Sequence, residues 1–470
     1  MLQTTRRAAL SLVGAASLAL AGLPVLAAPA AQADQWQIPV HVKKLANGLT
    51  VVISPDASSP TVGLSVVYKV GMRLEPQNRT GFAHLFEHLM FQGTPNAPKG
   101  VFDQVITSGG GNNNGSTRPD FTNYIETAPS SALEAMLWLE SDRMKTLDFN
   151  PTTLKNQQDV VKEEIRVNVQ NQPYGGFMWI DIGGLAFDKW ANKHDGYGSF
   201  VDLDNANLDD VRAFHRDFYG PNNAVLSIAG DVTPAQGFAL AEKYFGKIPA
   251  RATPKPTDFS EGLNTAERRL TQPDKLAQVP AIAAAWKLPE RGSKDQAPFA
   301  VLGQLLAGGD ASRFYQGLVK GRELALNLDS LYGLTSIWEY DGPSIYTVFA
   351  LYKPDTTADA LLAAMDEEIA RVVKDGVDEA TLKNLKTALL ADWYNGLEMF
   401  LNRADRLAKL QALWGDAQVV NKVPGWIEAV SSADVQRVAA TYLTRANRSV
   451  IDRKPAAMLA APAASAASKP

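Results

Sequence analysis

Residues 81–92 read Gly-Phe-Ala-His-Leu-Phe-Glu-His-Leu-Met-Phe-Gln, and no other stretch constrains fold and chemistry as tightly. The segment contains no proline and has helical spacing, which puts His84 and His88 one turn apart on a single face. Two imidazoles so placed can grip one metal ion. Glu87 stands between them in sequence, beside such an ion without having to ligate it, where a carboxylate can take a proton from water. The order H-x-x-E-H inverts the commoner H-E-x-x-H, and both orders occur in zinc peptidases. The same spacing fits a buried helix whose histidines are satisfied by backbone or carboxylate partners. The chain holds five histidines, His41, His84, His88, His194 and His215; two fall at ligand spacing with a glutamate beside them, which favours the metal.

A catalytic zinc takes three protein ligands and keeps one position open. The chain has no cysteine, so the third ligand must be His, Asp or Glu. Residues 153–169 read as a helix with two faces. Leu154, Gln157, Val160 or Val161, and Glu164 recur on the apolar side, while Asp159, Lys162, Glu163 and Arg166 occupy the charged side. Glu163 reads as a solvated, ion-pairing residue. Glu164, on the apolar side, wants a cation; zinc would serve, and so would an arginine. Between the two helices lies a Gly/Asn-rich stretch beginning at Gly109. Residues 116–127 alternate as one strand whose Pro119 predicts an edge position. An exposed edge near a zinc can hold an extended peptide by strand addition. An ordinary Gly/Asn loop leading into a strand fits that segment equally well.

At 470 residues and 46% hydrophobic content the chain suffices for two or more domains with sizeable cores. Residues 1–33 open with Met-Leu-Gln-Thr-Thr-Arg6-Arg7, continue through an Ala/Leu/Val-rich run and end in the small-x-small triplet Ala31-Gln32-Ala33. This reads as an export signal cleaved after Ala33, placing the protein in the periplasm with no stable membrane insertion afterwards. An uncleaved anchor is the alternative, disfavoured because Pro24 interrupts the apolar run; the match to a twin-arginine signal is loose. The formal net charge of −4 argues against nucleic acid as a partner. Without cysteine there are neither disulfides nor thiolate metal sites.

Residues 251–275 are polar and Pro-rich and read as a linker between domains at 34–250 and 276–454. The Ala/Pro/Ser-rich residues 455–470 read as a disordered tail. Placing one half on the other pairs Asp210 with Asp434, Val211 with Val435, Phe218 with Tyr442 and Asn223 with Asn447, a weak but ordered repeat. Each half mixes strand-like segments, among them 49–53, 61–69 and 224–229, with amphipathic helical runs such as 357–373 and 379–402. Segments 332–338 and 344–351 flank Asp341-Gly342 as a predicted hairpin. Runs of strands followed by runs of helices predict the α+β class.

These motifs resemble the M16 (pitrilysin or insulinase-like) zinc metallopeptidases, in particular bacterial two-domain members similar to mitochondrial processing peptidase. The resemblance rests on residues 81–93, on Val160-Val-Lys-Glu-Glu-Ile, on Gly110-Gly-Asn-Asn-Asn-Gly-Ser-Thr, on Phe218-Tyr-Gly-Pro-Asn-Asn-Ala and on Gly230-Asp-Val. It implies one Zn2+ per chain on His84, His88 and Glu164, with Glu87 as general base for peptide-bond hydrolysis. Asn114 would lie on the edge strand that holds the substrate. It also implies two homologous α+β domains, each an antiparallel-rich sheet packed with helices, and two such pairs closing like a clamshell around short or unfolded peptides.

Two positions depart from the family pattern. Gln157 and Gln158 stand where members often carry Glu-Arg, so Gln157 puts a neutral amide behind the metal ligands. In the second half the pattern that supplies a substrate-polarising Arg and Tyr has Val319 and Leu326 in their place, and neither can donate a hydrogen bond. The resemblance therefore implies a heterodimer in which a homologous subunit without the zinc motif supplies the Arg and Tyr. A non-catalytic peptide-binding or assembly subunit of the same fold is the alternative, though such a member would be expected to lose Glu87 or a ligand.

Overall fold

The computed structural model describes residues 36–252 and 257–460. The expected export signal lies outside the described residues, and no helix among those described is long and apolar enough to cross a membrane. The architecture is α+β with two sheets. The first half builds β1 (His41–Lys44), β2 (Thr50–Pro55), β3 (Thr61–Tyr68), β4 (Asn112–Thr117), β5 (Thr122–Pro129) and β6 (Ala224–Gly230), in the order β1-β2-β6-β3-β5-β4. The second half builds β7 (Arg268–Asp274), β8 (Ala281–Lys287), β9 (Ala325–Tyr332), β10 (Ile345–Tyr352) and β11 (Arg448–Pro455), in the order β7-β11-β8-β10-β9. Each sheet is antiparallel except for one parallel pair, β2 with β6 and β7 with β11.

The central strands are buried on both faces, and strict alternation tells the faces apart. On the first sheet Val51, Ile53, Val62, Leu64, Val66, Leu226 and Ile228 face a core closed by helices Phe82–Leu89, Leu133–Lys145, Leu208–Phe218 and Pro234–Phe245. The opposite face presents Ser54, Gly63, Ser65 and Ser227, all small, to helix Phe400–Trp414 of the second half. Helix backbone comes so near that a Cβ on Gly63 would stand 2.3 Å from Leu401 N and 2.4 Å from Phe400 O. The second sheet answers in kind. Ala281, Ala283 and Ala285 of β8 pack with Phe177, Ile182 and Ala186 of the first half, while Ile282, Ala284 and Trp286 face the second half's own helices. Each half thus lays a helical segment on the other's sheet.

The repeat read from the sequence recurs in hydrogen bonds. Asn223 Nδ2 donates to Phe218 O at 2.9 Å, and Asn447 Nδ2 donates to Tyr442 O at 2.8 Å. Asp210 and Asp434 each complete a capping box at their helix start, and Val211 and Val435 are both fully buried.

Several sequence-based boundaries are corrected. Residues 116–127 are not one strand: Arg118 N donates to Phe121 O at 2.8 Å, so the chain turns at Pro119 and the two arms pair as β4 and β5. The edge strand is β4, upstream of the proline. The stretch 251–275 holds β7, whose polar sequence suits a sheet-edge strand paired only with β11. The first arm of the second-half hairpin is β9 rather than 332–338; Gly333, at φ 57°, turns the chain out of the sheet. The expected tail is ordered at its start, since Pro455 ends β11 and pairs with Asp274, followed by a short helix Ala456–Ala460.

His215, on helix Leu208–Phe218, is buried among Phe86, Phe149 and Tyr219, and its ring nitrogens meet Arg143 O and Arg251 Nη1, each at 3.4 Å. Burial, and then the neighbouring Arg251 cation, hold its pKa down to about 3. A group depressed in the folded state contributes stability that is present above its unfolded pKa and lost as pH falls toward the folded value. Unfolding midpoints measured from pH 7 to pH 4 should therefore fall with a shallower slope for His215→Gln than for the parent chain. Gly63→Ala should destabilise the protein by at least about 2 kcal/mol, since the colliding atoms are helix backbone and cannot rotate away; a denaturation midpoint unchanged from wild type would contradict the packing described.

Candidate metal and peptide site

Helix Phe82–Leu89 starts at Gly81, whose φ of 78° few other residues tolerate. Its first amides find a buried carboxylate: Glu75 accepts from Gly81 N at 2.9 Å and Ala83 N at 2.8 Å. His194 holds Glu75 from the other side, with Nε2 at 3.0 Å from Oε2, and Trp190 stacks on the His194 ring at 3.9 Å. An anchored, acid-capped N-terminus fixes both the rotation and the depth of the helix. His84 and His88 then project toward helix Pro151–Ile165, which carries Glu164.

The three side chains converge. His84 Nε2 and His88 Nε2 lie 3.3 Å apart, and Glu164 Oε2 lies 3.6 Å from the first and 3.3 Å from the second. Ligand atoms about 2.05 Å from one tetrahedral ion would stand about 3.3–3.4 Å from each other, so these separations are those of a zinc shell. Among the described residues this is the one group of three His, Cys, Asp or Glu side chains close enough to share an ion. The donor set, two imidazoles and a carboxylate, also suits zinc. Glu164 is held below the usual carboxylate range, chiefly by its hydrogen bond to His88. Burial and the adjacent His88 keep His84 neutral, with a pKa down at about 4, and a neutral imidazole is the form that ligates. His84 Nδ1 is buried with no hydrogen-bond partner among the described residues.

Glu87 points to the same hollow and is nearly buried. Burial raises its pKa, while Thr117 Oγ1 of β4 donates to its Oε2 at 2.5 Å and favours the charged form. Asn114 lies on the exposed side of β4 in the same pocket, and its Oδ1 accepts from Gly115 N at 2.8 Å. Gln157 is buried behind His88 and hydrogen-bonds it. The structure therefore brings His84, Glu87, His88, Asn114, Gln157 and Glu164 into one place. On the Glu164 helix Val161 is the buried valine of the two and Val160 is exposed, and one face assignment is corrected: Lys162 is buried, paired to Asp204 and Asp159 at 2.6 and 3.0 Å.

Other wall residues were not read from the sequence. Tyr197 stands edge-on to His84 at 5.2 Å, and Met72, Arg118, Trp179 and, from the second half, Leu334 close the pocket. None sits in a local pattern that marks it. Val319 is half-buried against the second core and Leu326 is exposed on β9. Neither lines the pocket, and nor do Arg322, which pairs with Glu367, or Tyr315.

The family model "Insulinase (Peptidase family M16)" matches residues 50–174, and "Peptidase M16 inactive domain" matches residues 205–389. A curated relative, the zinc protease PqqE of Helicobacter pylori, is 27% identical over 449 residues, covering 93% of this chain and 98% of that protein. Among solved structures, a protease from H. pylori superposes with a TM-score of 0.82 at 27% identity over 89% of this chain and all of that one. The first half of the periplasmic protease PqqL from Escherichia coli shares the fold, with a TM-score of 0.71 at 18% identity over 90% of this chain and 93% of that one. The two family models fall in order on the two halves, the first of them across the whole His-His-Glu cluster, and the chain belongs to peptidase family M16.

Proposed function

We propose that the chain is the metal-bearing subunit of an exported, zinc-dependent endopeptidase that hydrolyses short or unfolded peptides in the periplasm. The observation that carries this reading is the mutual spacing of His84 Nε2, His88 Nε2 and Glu164 Oε2, at 3.3–3.6 Å, with the Glu87 carboxylate beside them. One Zn2+ bound there would act as a Lewis acid on a peptide carbonyl and would ease deprotonation of water. Glu87 is the proton carrier: it takes a proton from the attacking water and returns it to the departing amine. Thr117 holds one Glu87 oxygen, leaving the other to face the pocket. The outer edge of β4 offers backbone groups to an extended peptide, and Asn114 lies where that peptide would run.

A homologous partner without the zinc motif supplies the Arg and Tyr that Val319 and Leu326 replace, and with it an enclosed chamber. The support for this is chemical, since two aliphatic side chains cannot bind a developing oxyanion. A second reading, a non-catalytic peptide-binding or assembly subunit, is favoured by the name of the model matching the second half, "Peptidase M16 inactive domain". The retention of Glu87 with all three ligating groups weighs against it.

Glu87→Gln should leave zinc content, measured on the purified protein, unchanged while peptide hydrolysis falls by about two to four orders of magnitude. Equal hydrolysis by the variant would assign the chemistry to another centre, and native protein without zinc would refute the metal. Mixing the chain with a homologue that carries the Arg and Tyr but lacks H-x-x-E-H should raise hydrolysis by about two to three orders over either chain alone. Full activity from this chain by itself would remove the heterodimer.

A further inference from the structure

Arg118 is the pocket cation that peptide hydrolysis as described leaves unused. It follows Thr117 at the turn of the β4–β5 hairpin and lines the same hollow as His84, Glu87 and Glu164. Its guanidinium donates one bond, Nη1 to Thr117 O at 3.0 Å, and has no carboxylate in ion-pair reach among the described residues. Other arginines that the fold encloses are matched: Arg73 with Asp120 at 2.8 Å, Arg403 with Asp56 at 2.9 Å, Arg448 with Glu267 and Asp366, each at 2.6 Å. Four of the five N–H donors of Arg118 remain available, in the planar fork that fits a carboxylate.

The turn that carries Arg118 is rigid. Its N–H donates to Phe121 O at 2.8 Å and its carbonyl accepts from Met72 N at 3.1 Å. Asp120, two residues on, is gripped by Arg73 and accepts from the backbone amides of Asp341 and Gly342 at 3.0 and 3.1 Å. The walls beside Arg118 are Met72, Trp179 and Leu334, and apolar surroundings strengthen a charge pair formed there. A divalent cation would offset Glu87 and Glu164, leaving Arg118 as the uncompensated charge of the pocket.

We propose that Arg118 binds a carboxylate of the substrate close to the scissile bond, either an acidic side chain or the peptide's own C-terminus. The chain would then favour anionic peptides at that subsite. This rests on the peptidase reading for the identity of the ligand, but not for its test. Labelled peptides identical except for one carboxylate are titrated against the zinc-loaded Glu87→Gln chain by fluorescence anisotropy. One ends in an amide and carries Gln, one carries Glu in place of Gln, and one carries Gln with a free C-terminus.

At least one carboxylate peptide should bind about tenfold tighter than the neutral one, the gain typical of a charge-assisted pair. Adding Arg118→Gln should erase that difference and leave the neutral peptide within about twofold, and Arg118→Lys should recover part of it. The Glu peptide alone gaining affinity assigns an acidic side chain; the free acid alone assigns the C-terminus. Equal affinities for all three, including no detectable binding, or a uniform loss on Arg118→Gln, would overturn the proposal. Failure of the peptidase reading would appear separately, as missing zinc in the parent chain or as missing hydrolysis by the parent chain mixed with the homologue that carries the Arg and Tyr.

Discussion

The exchange of helices between the two halves is the constraint on which the rest of the molecule depends. A sheet buried on both faces must find a cover for each, and the first half's own helices cover only one face of its sheet. The other face is lined by Ser54, Gly63, Ser65 and Ser227, which admit helix Phe400–Trp414 to near backbone contact. The second half receives segment 177–186 on the alanines of β8 in return. Neither sheet is closed without the other half, which is why the cores run together: Val52, Val67 and Val225 of the first sheet, with Phe121 from the β4–β5 turn, belong to the same cluster as Trp286 and Leu407. Small residues are the condition for this, because a larger side chain on either face would hold the helix off and leave voids along its whole length.

That packing reaches the pocket through a short polar path. Asp405, on the covering helix, accepts from Ser65 Oγ at 2.9 Å and from Asn123 Nδ2 at 2.7 Å, and Asn123 in turn accepts from Ser116 Oγ of β4 at 2.5 Å. Lys409 Nζ lies 2.5 Å from the other Asp405 oxygen. The edge strand that flanks Glu87 is therefore held from behind by the second half, and its turn is held from the side by Asp120. An open edge strand is ordinarily mobile. Here the register of Gly115, Ser116 and Thr117 against helix Phe82–Leu89 is set by contacts from across the chain.

What could be read from the sequence follows from the range of the forces involved. His84, Glu87 and His88 lie within one helical turn, so periodicity alone places them together. Glu164 was legible because an amphipathic helix leaves a carboxylate on its apolar side only for a reason. Thr117, Arg118 and Tyr197 carry no such signal: they meet the site because a hairpin turns at Pro119 and because the chain after helix Pro151–Ile165 folds back over His84. The boundaries missed at β7 and β9 are edge strands, whose polar outer faces erase the alternation that marks a strand. Lys162 read as solvent-facing because nothing local announces helix Phe200–Asn205, which brings Asp204 over it.

The division of labour between the halves has the same physical root. Both edge strands, β4 and β9, occupy equivalent positions in sheets of equivalent order. On β4, Gly115 and Thr117 face the helix bearing two histidines and a glutamate, and Asn114 lies exposed beside the same pocket. On β9, Leu326 is the extra residue of a bulge between the pairs Asn327–Leu351 and Ala325–Tyr352, an apolar group at 47% exposure that does not line the pocket. Its second half serves the first mechanically, through helix Phe400–Trp414, the loop that grips Asp120, and Leu334 in the pocket wall. A half that is indispensable for packing keeps its place in the fold whatever chemistry its surface carries.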